Sequence, residues 1–189
     1  MSTNKTIVCA GVPRSGTTLM YRALAGLTAG STTPDIVTDV EKTHSFQPKN
    51  YSFAQKAIFL FSDPVLSVIS TKLHRYDPKH FQNCGSGHLD PADTDIFTND
   101  ALNYEAMFDS WTNNNEVETI CVRYETLYRN IPIIQSFFSP RTLFIPPYKK
   151  RSTSTADIDE IHLTQIKSTY SKLIEKTQLA PDVSIRNKY

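Results

Sequence analysis

The sequence has no run approaching roughly 18 consecutive apolar residues, so no membrane-spanning helix is expected. Its only apolar stretch before Pro13 and Arg14 is residues 7–11, too short for the apolar region of a secretory signal. Cysteine is scarce: Cys9, Cys84 and Cys121 form an odd, widely spaced set that suits neither a disulfide framework nor a metal site. Cys9 and Cys121 lie inside apolar runs, where a free thiol behaves as a small hydrophobe. These absences point to a soluble, cytoplasmic protein in a reducing compartment. An excess of either charge is also missing, since 20 Lys and Arg face 19 Asp and Glu for a net +1. That balance excludes a polybasic nucleic-acid binder, whose affinity would come from summed phosphate neutralisation. It leaves room for a small polyanion, which needs only a local cluster of cations.

What is present reads as one globular domain spanning residues 1–189. The 39% of hydrophobic residues is far from the disordered range, and there are no repeats, low-complexity tracts or dividing linkers. Residues 6–11 (TIVCAG) read as a buried strand. Beyond the break at Val12, Pro13, Arg14, Ser15 and Gly16, the spacing of Met20, Ala23, Leu24 and Leu27 is helical. Gly26 and Gly30 punctuate that helix.

Residues 36–40 suggest a second strand, and 57–61 (AIFLF) have the unbroken apolar character of an interior parallel strand. Asp63 and Pro64 then open a helix carrying Val65, Val68, Ile69 and Leu73. Residues 90–99 read as loop, and Tyr104, Met107, Phe108 and Trp111 mark the core face of a further helix. Residues 117–122 and 142–145 read as strands, 127–138 as largely helical after Pro132, and 158–174 as a C-terminal helix. Strands alternating with helices predict an α/β fold: three layers, with a mainly parallel sheet between helices.

The strongest local signal is Gly11-Val12-Pro13-Arg14-Ser15-Gly16-Thr17-Thr18, between a strand and a helix. Unpaired N–H groups and the positive dipole end at a helix N-terminus suit a phosphate. Gly16 permits close backbone approach, Ser15, Thr17 and Thr18 carry hydroxyls, and Arg14 offers a permanent charge with forked donors. The Gly11–Gly16 spacing has the outline of a nucleotide-triphosphate P-loop, yet Thr17 stands where that motif requires Lys. A hydrolytic NTPase is therefore disfavoured, although Asp63 after the third strand could serve a metal–nucleotide complex.

This loop resembles the 5′-phosphosulfate loop of sulfotransferases that use 3′-phosphoadenosine 5′-phosphosulfate (PAPS), and is most similar to the tyrosylprotein branch. Glu41-Lys42-Thr43-His44 resembles the segment carrying the catalytic base in cytosolic members. Val122-Arg123-Tyr124-Glu125-Thr126-Leu127 resembles a strand end whose Tyr contacts the adenine. The resemblance implies a transferase moving a sulfuryl group from PAPS to a hydroxyl or amine acceptor, with no metal.

Arg14, Ser15, Gly16, Thr17 and Thr18 would then hold the 5′-phosphosulfate, with Arg14 at the bridging oxygen. Lys42 would sit at the sulfuryl group, and His44 or Glu41 would be the base. In an extended segment residues 42 and 44 point to one side. At the 3′-phosphate the resemblance maps Ser70 onto the family's Ser, while Ser62 replaces its Arg, removing a contact worth about 1.5–3 kcal/mol. Lys149, Lys150 and Arg151 lie where the family has a basic loop and are the expected compensators. A degenerate P-loop kinase and a catalytically inactive nucleotide-binding module are the competing readings.

His74, His80 and His88 with Cys84 match no compact zinc spacing. The short span between Arg14 and Lys42 leaves little acceptor-enclosing structure, so an open acceptor site is expected.

Overall fold

The computed structural model describes residues 6–27, 39–74, 78–90, 92–148 and 151–188. Five strands, Ile7–Gly11 (β1), Val40–Thr43 (β2), Lys56–Phe61 (β3), Glu118–Arg123 (β4) and Val183–Arg186 (β5), form one sheet in the order β2-β1-β3-β4-β5. The first four are parallel, and β5 joins antiparallel along β4, Thr119 opposite Arg186. The helices are Thr17–Ala25 (α1), Pro64–Leu73 (α2), Pro78–Asn83 (α3), Tyr104–Thr112 (α4), Ile131–Phe137 (α5), Glu160–Thr169 (α6) and Ser171–Leu179 (α7). This is the expected α/β class, a mostly parallel sheet flanked by helices.

The unbroken apolar runs are explained by burial on both faces. Side-chain alternation along the strands divides them between two cores. Val8, Ala10, Phe59, Phe61 and Cys121 pack with residues of α2, α4, α6 and α7. Ile7, Cys9, Ile58, Leu60, Ile120 and Val122 pack with residues of α1 and α5. All three cysteines are buried free thiols. Among the described residues no helix is long and apolar enough to cross a membrane.

Local chemistry sets the helix ends. Asp63 caps α2 by accepting from Leu66 N at 3.0 Å, with Pro64 at its first position. Gly26 closes α1 in the left-handed region at φ 68°, and Leu27 N reaches back to Arg22 O at 2.9 Å. That closure stops the helix before Leu27; Gly30 lies outside the described residues.

Several expectations need correction. Residues 142–145 form no strand: Leu143 N donates to the Gln135 side chain at 2.9 Å and Phe144 is exposed, beside Pro140, Pro146 and Pro147. The fifth strand is β5 instead, four half-exposed residues after Pro181 with no core-like run to announce them. The second strand is displaced to Val40–Thr43, and residues 36–38 lie outside the described residues. Residues 124–130 form a 3-10 turn before α5, which begins one residue ahead of Pro132. The C-terminal helix is divided at the buried Tyr170 into α6 and α7. The short α3 was not foreseen.

Tyr104, Phe108 and Trp111 are core, as their spacing predicts. Trp111 is fully buried, lies parallel to Phe59 with ring centroids 6.0 Å apart, and donates Nε1–H to Ser45 O at 2.8 Å. Its burial is secured by packing and a satisfied polar atom together. Trp111→Ala is expected to cost about 3–5 kcal/mol of stability through the cavity it leaves, read from urea unfolding.

Candidate functional site

Parallel strands deliver their carboxyl ends to one edge of the sheet. In this strand order the chain departs in opposite directions from β1 and β3, the point where open α/β sheets leave a crevice. The 11–18 loop leaves β1 there, closely packed. A Cβ on Gly11 would lie 2.6 Å from Leu60 O and 2.9 Å from the hydroxyls of Ser15 and Thr17. Val12 N donates to Leu60 O at 3.1 Å, extending the β1–β3 contact into the loop.

The buried Ser15 hydroxyl is turned inward, 2.7 Å from Val12 O and 2.9 Å from Leu60 O. It is a tie within the loop and does not line the cavity outside it. Gly16 then starts α1 at φ 84°, with no side-chain cap among the described residues. The first N–H groups of α1 are thereby left for solvent or an anion. A Cβ on Gly16 would lie 2.4 Å from the Tyr124 ring, so only glycine allows that ring to close over the loop.

Facing this helix end is a cavity of about 420 Å³. Its walls include Arg14, Lys42 and Arg151, three histidines (His44, His74, His80), and the hydroxyl residues Thr17, Thr18, Ser70, Tyr124, Ser152 and Thr153. Among the described residues no carboxylate lines it. In a chain with nearly equal numbers of acids and bases, that segregation is the electrostatic character that suits an anion.

The expected pair from β2 arrives together. Lys42 and His44 both line the cavity, whereas Glu41, the residue of β2 before Lys42, does not. Lys42 Nζ donates to Thr18 Oγ1 at 2.8 Å, and burial lowers its pKa, with Arg22 adding repulsion. His44 donates Nδ1–H to Gly11 O at 2.6 Å, which leaves Nε2 as the unprotonated nitrogen. Burial pushes the His44 pKa down to about 4; the Gly11 carbonyl opposes this, and Lys42 and His80 reinforce it. His44 is thus neutral at pH 7, the form in which an imidazole can accept a proton.

Arg14 stands in the left-handed region at φ 66°. Its Nε donates to Ser70 Oγ at 3.1 Å, and its carbonyl accepts from Arg151 Nη2 at 2.7 Å. Arg151 lies over the Tyr124 ring at 5.2 Å, and its Nη2 is 3.5 Å from Ser62 Oγ. Its buried Nη1 has no hydrogen-bond partner among the described residues and stands 3.7 Å from Glu125 Oε1. Ser62 is buried against Ser67 behind this wall and does not line the cavity. Lys149 and Lys150 lie outside the described residues.

Comparison with family models, curated proteins and solved structures returns no match for this chain.

The loop, Lys42, His44, Ser70, Tyr124 and Arg151 therefore converge, while Ser15, Ser62 and Glu41 do not reach the cavity. His74 and His80 are the additions that sequence reasoning missed. His74 closes the last turn of α2, donating Nδ1–H to Ser70 O at 2.8 Å. Both were weighed only as metal ligands with Cys84, which is buried in the core. Among the described residues no group of three or more His, Cys, Asp or Glu could hold a metal ion.

Gly16→Ala should lower stability by about 1–3 kcal/mol through the positive φ, and Tyr124→Ala in the same chain should return the part due to the clash; urea unfolding of both variants checks this. His44 carries a pH signature. The unfolded chain protonates it below about pH 6.5 and the folded chain only below about pH 4, so stability falls as the pH drops through that window. The loss by pH 4 should be on the order of 2–3 kcal/mol, and His44→Gln should abolish that share in unfolding curves at pH 7 and 4.

Proposed function

We propose that this chain is a PAPS-dependent sulfotransferase, transferring a sulfuryl group to a hydroxyl or amine acceptor. The observation that carries the reading is the cationic cavity at the uncapped N-terminus of α1, lined by no carboxylate among the described residues and with a neutral histidine in its wall. Such a transfer needs a proton acceptor, charge stabilisation at the moving group, and neutralisation of the leaving phosphate.

Each need has a matching group. His44 Nε2 takes the acceptor proton as the acceptor oxygen or nitrogen bonds to sulfur. Lys42 stabilises the sulfuryl oxygens. Arg14 and the N–H groups of Thr17 and Thr18 neutralise the phosphate oxygen that retains the electrons of the broken S–O bond. Arg14 stabilises charge without supplying a proton, because its guanidinium stays protonated. A bound polyanion raises the proton affinity of His44, since nearby negative charge favours the imidazolium. Tyr124, closing over Gly16, is the candidate adenine contact.

Arg151, whose guanidinium reaches within 3.5 Å of the Ser62 hydroxyl, is the cation that would stand in for the family's Arg. A charge from the C-terminal segment would thus replace one from the end of β3 at the 3′-phosphate. His44 is favoured over Glu41 as base because only His44 lines the cavity.

The kinase or NTPase reading is weaker. Besides Thr17 in place of Lys, Asp63 spends its side chain on capping α2 and does not line the cavity. The inactive-module reading differs from the enzyme only in turnover.

Thermal stabilisation separates these readings. At a hundred times its Kd, 3′-phosphoadenosine 5′-phosphate should add about 2.7 kcal/mol, or roughly 5–10 °C in Tm, with little effect from ADP or ATP with Mg²⁺. Stabilisation by the Mg²⁺ nucleotides alone overturns the proposal. With a hydroxyl-acceptor panel, Arg14→Ala should lower turnover by about 10²–10³-fold and His44→Ala by about 10²–10⁴-fold, and ligand binding without turnover identifies the inactive module.

A further inference from the structure

We infer that Tyr51 is a positioning residue for His44, acting on it through the Thr43 hydroxyl. This rests on the proposed role of His44 as base and concerns what holds that imidazole in place. Thr43 is the last residue of β2 and pairs with Ala10, so His44 is the first residue beyond the ladder. Residues 44–47 belong to no helix or strand. The backbone that carries the imidazole therefore takes its hydrogen bonds from side chains.

Those bonds come from both sides of His44. Thr43 Oγ1 accepts Ser45 N–H at 3.0 Å, spanning His44, and lies 2.6 Å from the Tyr51 hydroxyl. A threonine hydroxyl has one proton and two lone pairs, so it serves both partners at once. On the other side, Ser45 O accepts Nε1–H from Trp111 at 2.8 Å. The Tyr51 and Trp111 rings are themselves neighbours, with centroids 6.1 Å apart. Their polar ends thus clasp the main chain at the residues before and after His44.

Tyr51 has a fixed origin for this task. It ends the 3-10 turn Pro48–Tyr51, which opens on a buried proline, and its ring packs against the core of α4. The imidazole reaches its own partner, Gly11 O at 2.6 Å, only from a backbone held at the right place beside β1. Without the Tyr51 hydroxyl, residues 43–45 lose one of their two anchors. An imidazole that slips from Gly11 O can protonate at either nitrogen and present the wrong one to the cavity. A misplacement of about 1 Å at a reacting group can cost roughly a hundredfold in rate.

Tyr51→Phe in the full chain tests the assignment, since it keeps the ring beside Trp111 and removes only the hydroxyl. With PAPS and a hydroxyl acceptor, kcat should fall about ten- to a hundredfold, while affinity for 3′-phosphoadenosine 5′-phosphate by calorimetry stays within about twofold. A parent-like kcat overturns the inference, and so does an equal loss of nucleotide affinity, which marks a general loosening of the site. Nitrogen-15 NMR of the His44 imidazole is the second readout and needs no turnover. The parent should show one tautomer, protonated at Nδ1, and Tyr51→Phe a mixture of both; an unchanged spectrum overturns the inference. If Tyr51→Phe does not fold, Thr43→Val, of similar volume, deletes the same bond from its other end and replaces it in both experiments. A parent chain without turnover refutes the proposed function, and the imidazole spectrum still decides the role of Tyr51.

Discussion

The site depends on the close approach of β1 to β3 at Gly11. No side chain fits there, because the Leu60 carbonyl and the hydroxyls of Ser15 and Thr17 occupy the space. This contact turns the chain sharply enough for α1 to begin with its amides facing the crevice. The same residue's carbonyl receives His44, so one glycine determines both where the helix end points and which imidazole nitrogen stays unprotonated. A substituent at Gly11 would disturb the loop, the histidine and the β1–β3 ladder together.

Charge is distributed with similar economy. The chain as a whole is nearly neutral, yet the cavity collects Arg14, Lys42 and Arg151 with no lining carboxylate among the described residues. Asp63 caps α2, and Glu125 accepts from Asp63 N at 3.1 Å and forms an ion pair with Arg151 at 3.7 Å behind the cavity wall. Burial favours neutral His44 and lowers the Lys42 pKa, with Lys42 and His80 adding repulsion at the first and Arg22 at the second.

Much of this was legible in sequence where chemistry is local. The runs TIVCAG and AIFLF marked β1 and β3 because interior parallel strands are apolar on both faces. Lys42 and His44 were singled out by the resemblance of residues 41–44, and alternation along an extended segment puts them on one side. Groups that depend on how distant segments return were not legible. β5 is short, half-exposed and antiparallel, so neither periodicity nor composition distinguishes it from a tail. Ser15 looked like a ligand donor, but its hydroxyl is turned inward between Val12 O of its own loop and Leu60 O, 45 residues away in sequence, and the second of these is not visible locally. His74 and His80 reach the cavity only because α2 and α3 are placed beside it, which spacing does not encode.

The packing of Trp111 has an optical consequence. It is the chain's one tryptophan, and its indole N–H is bonded to the carbonyl of Ser45, the residue after His44. Any displacement of the His44 segment changes the hydrogen bonding of the only indole while Phe59 holds its ring in place. The protein thus contains its own fluorophore, wired to the wall of the cavity, whose emission reports on that wall without a label.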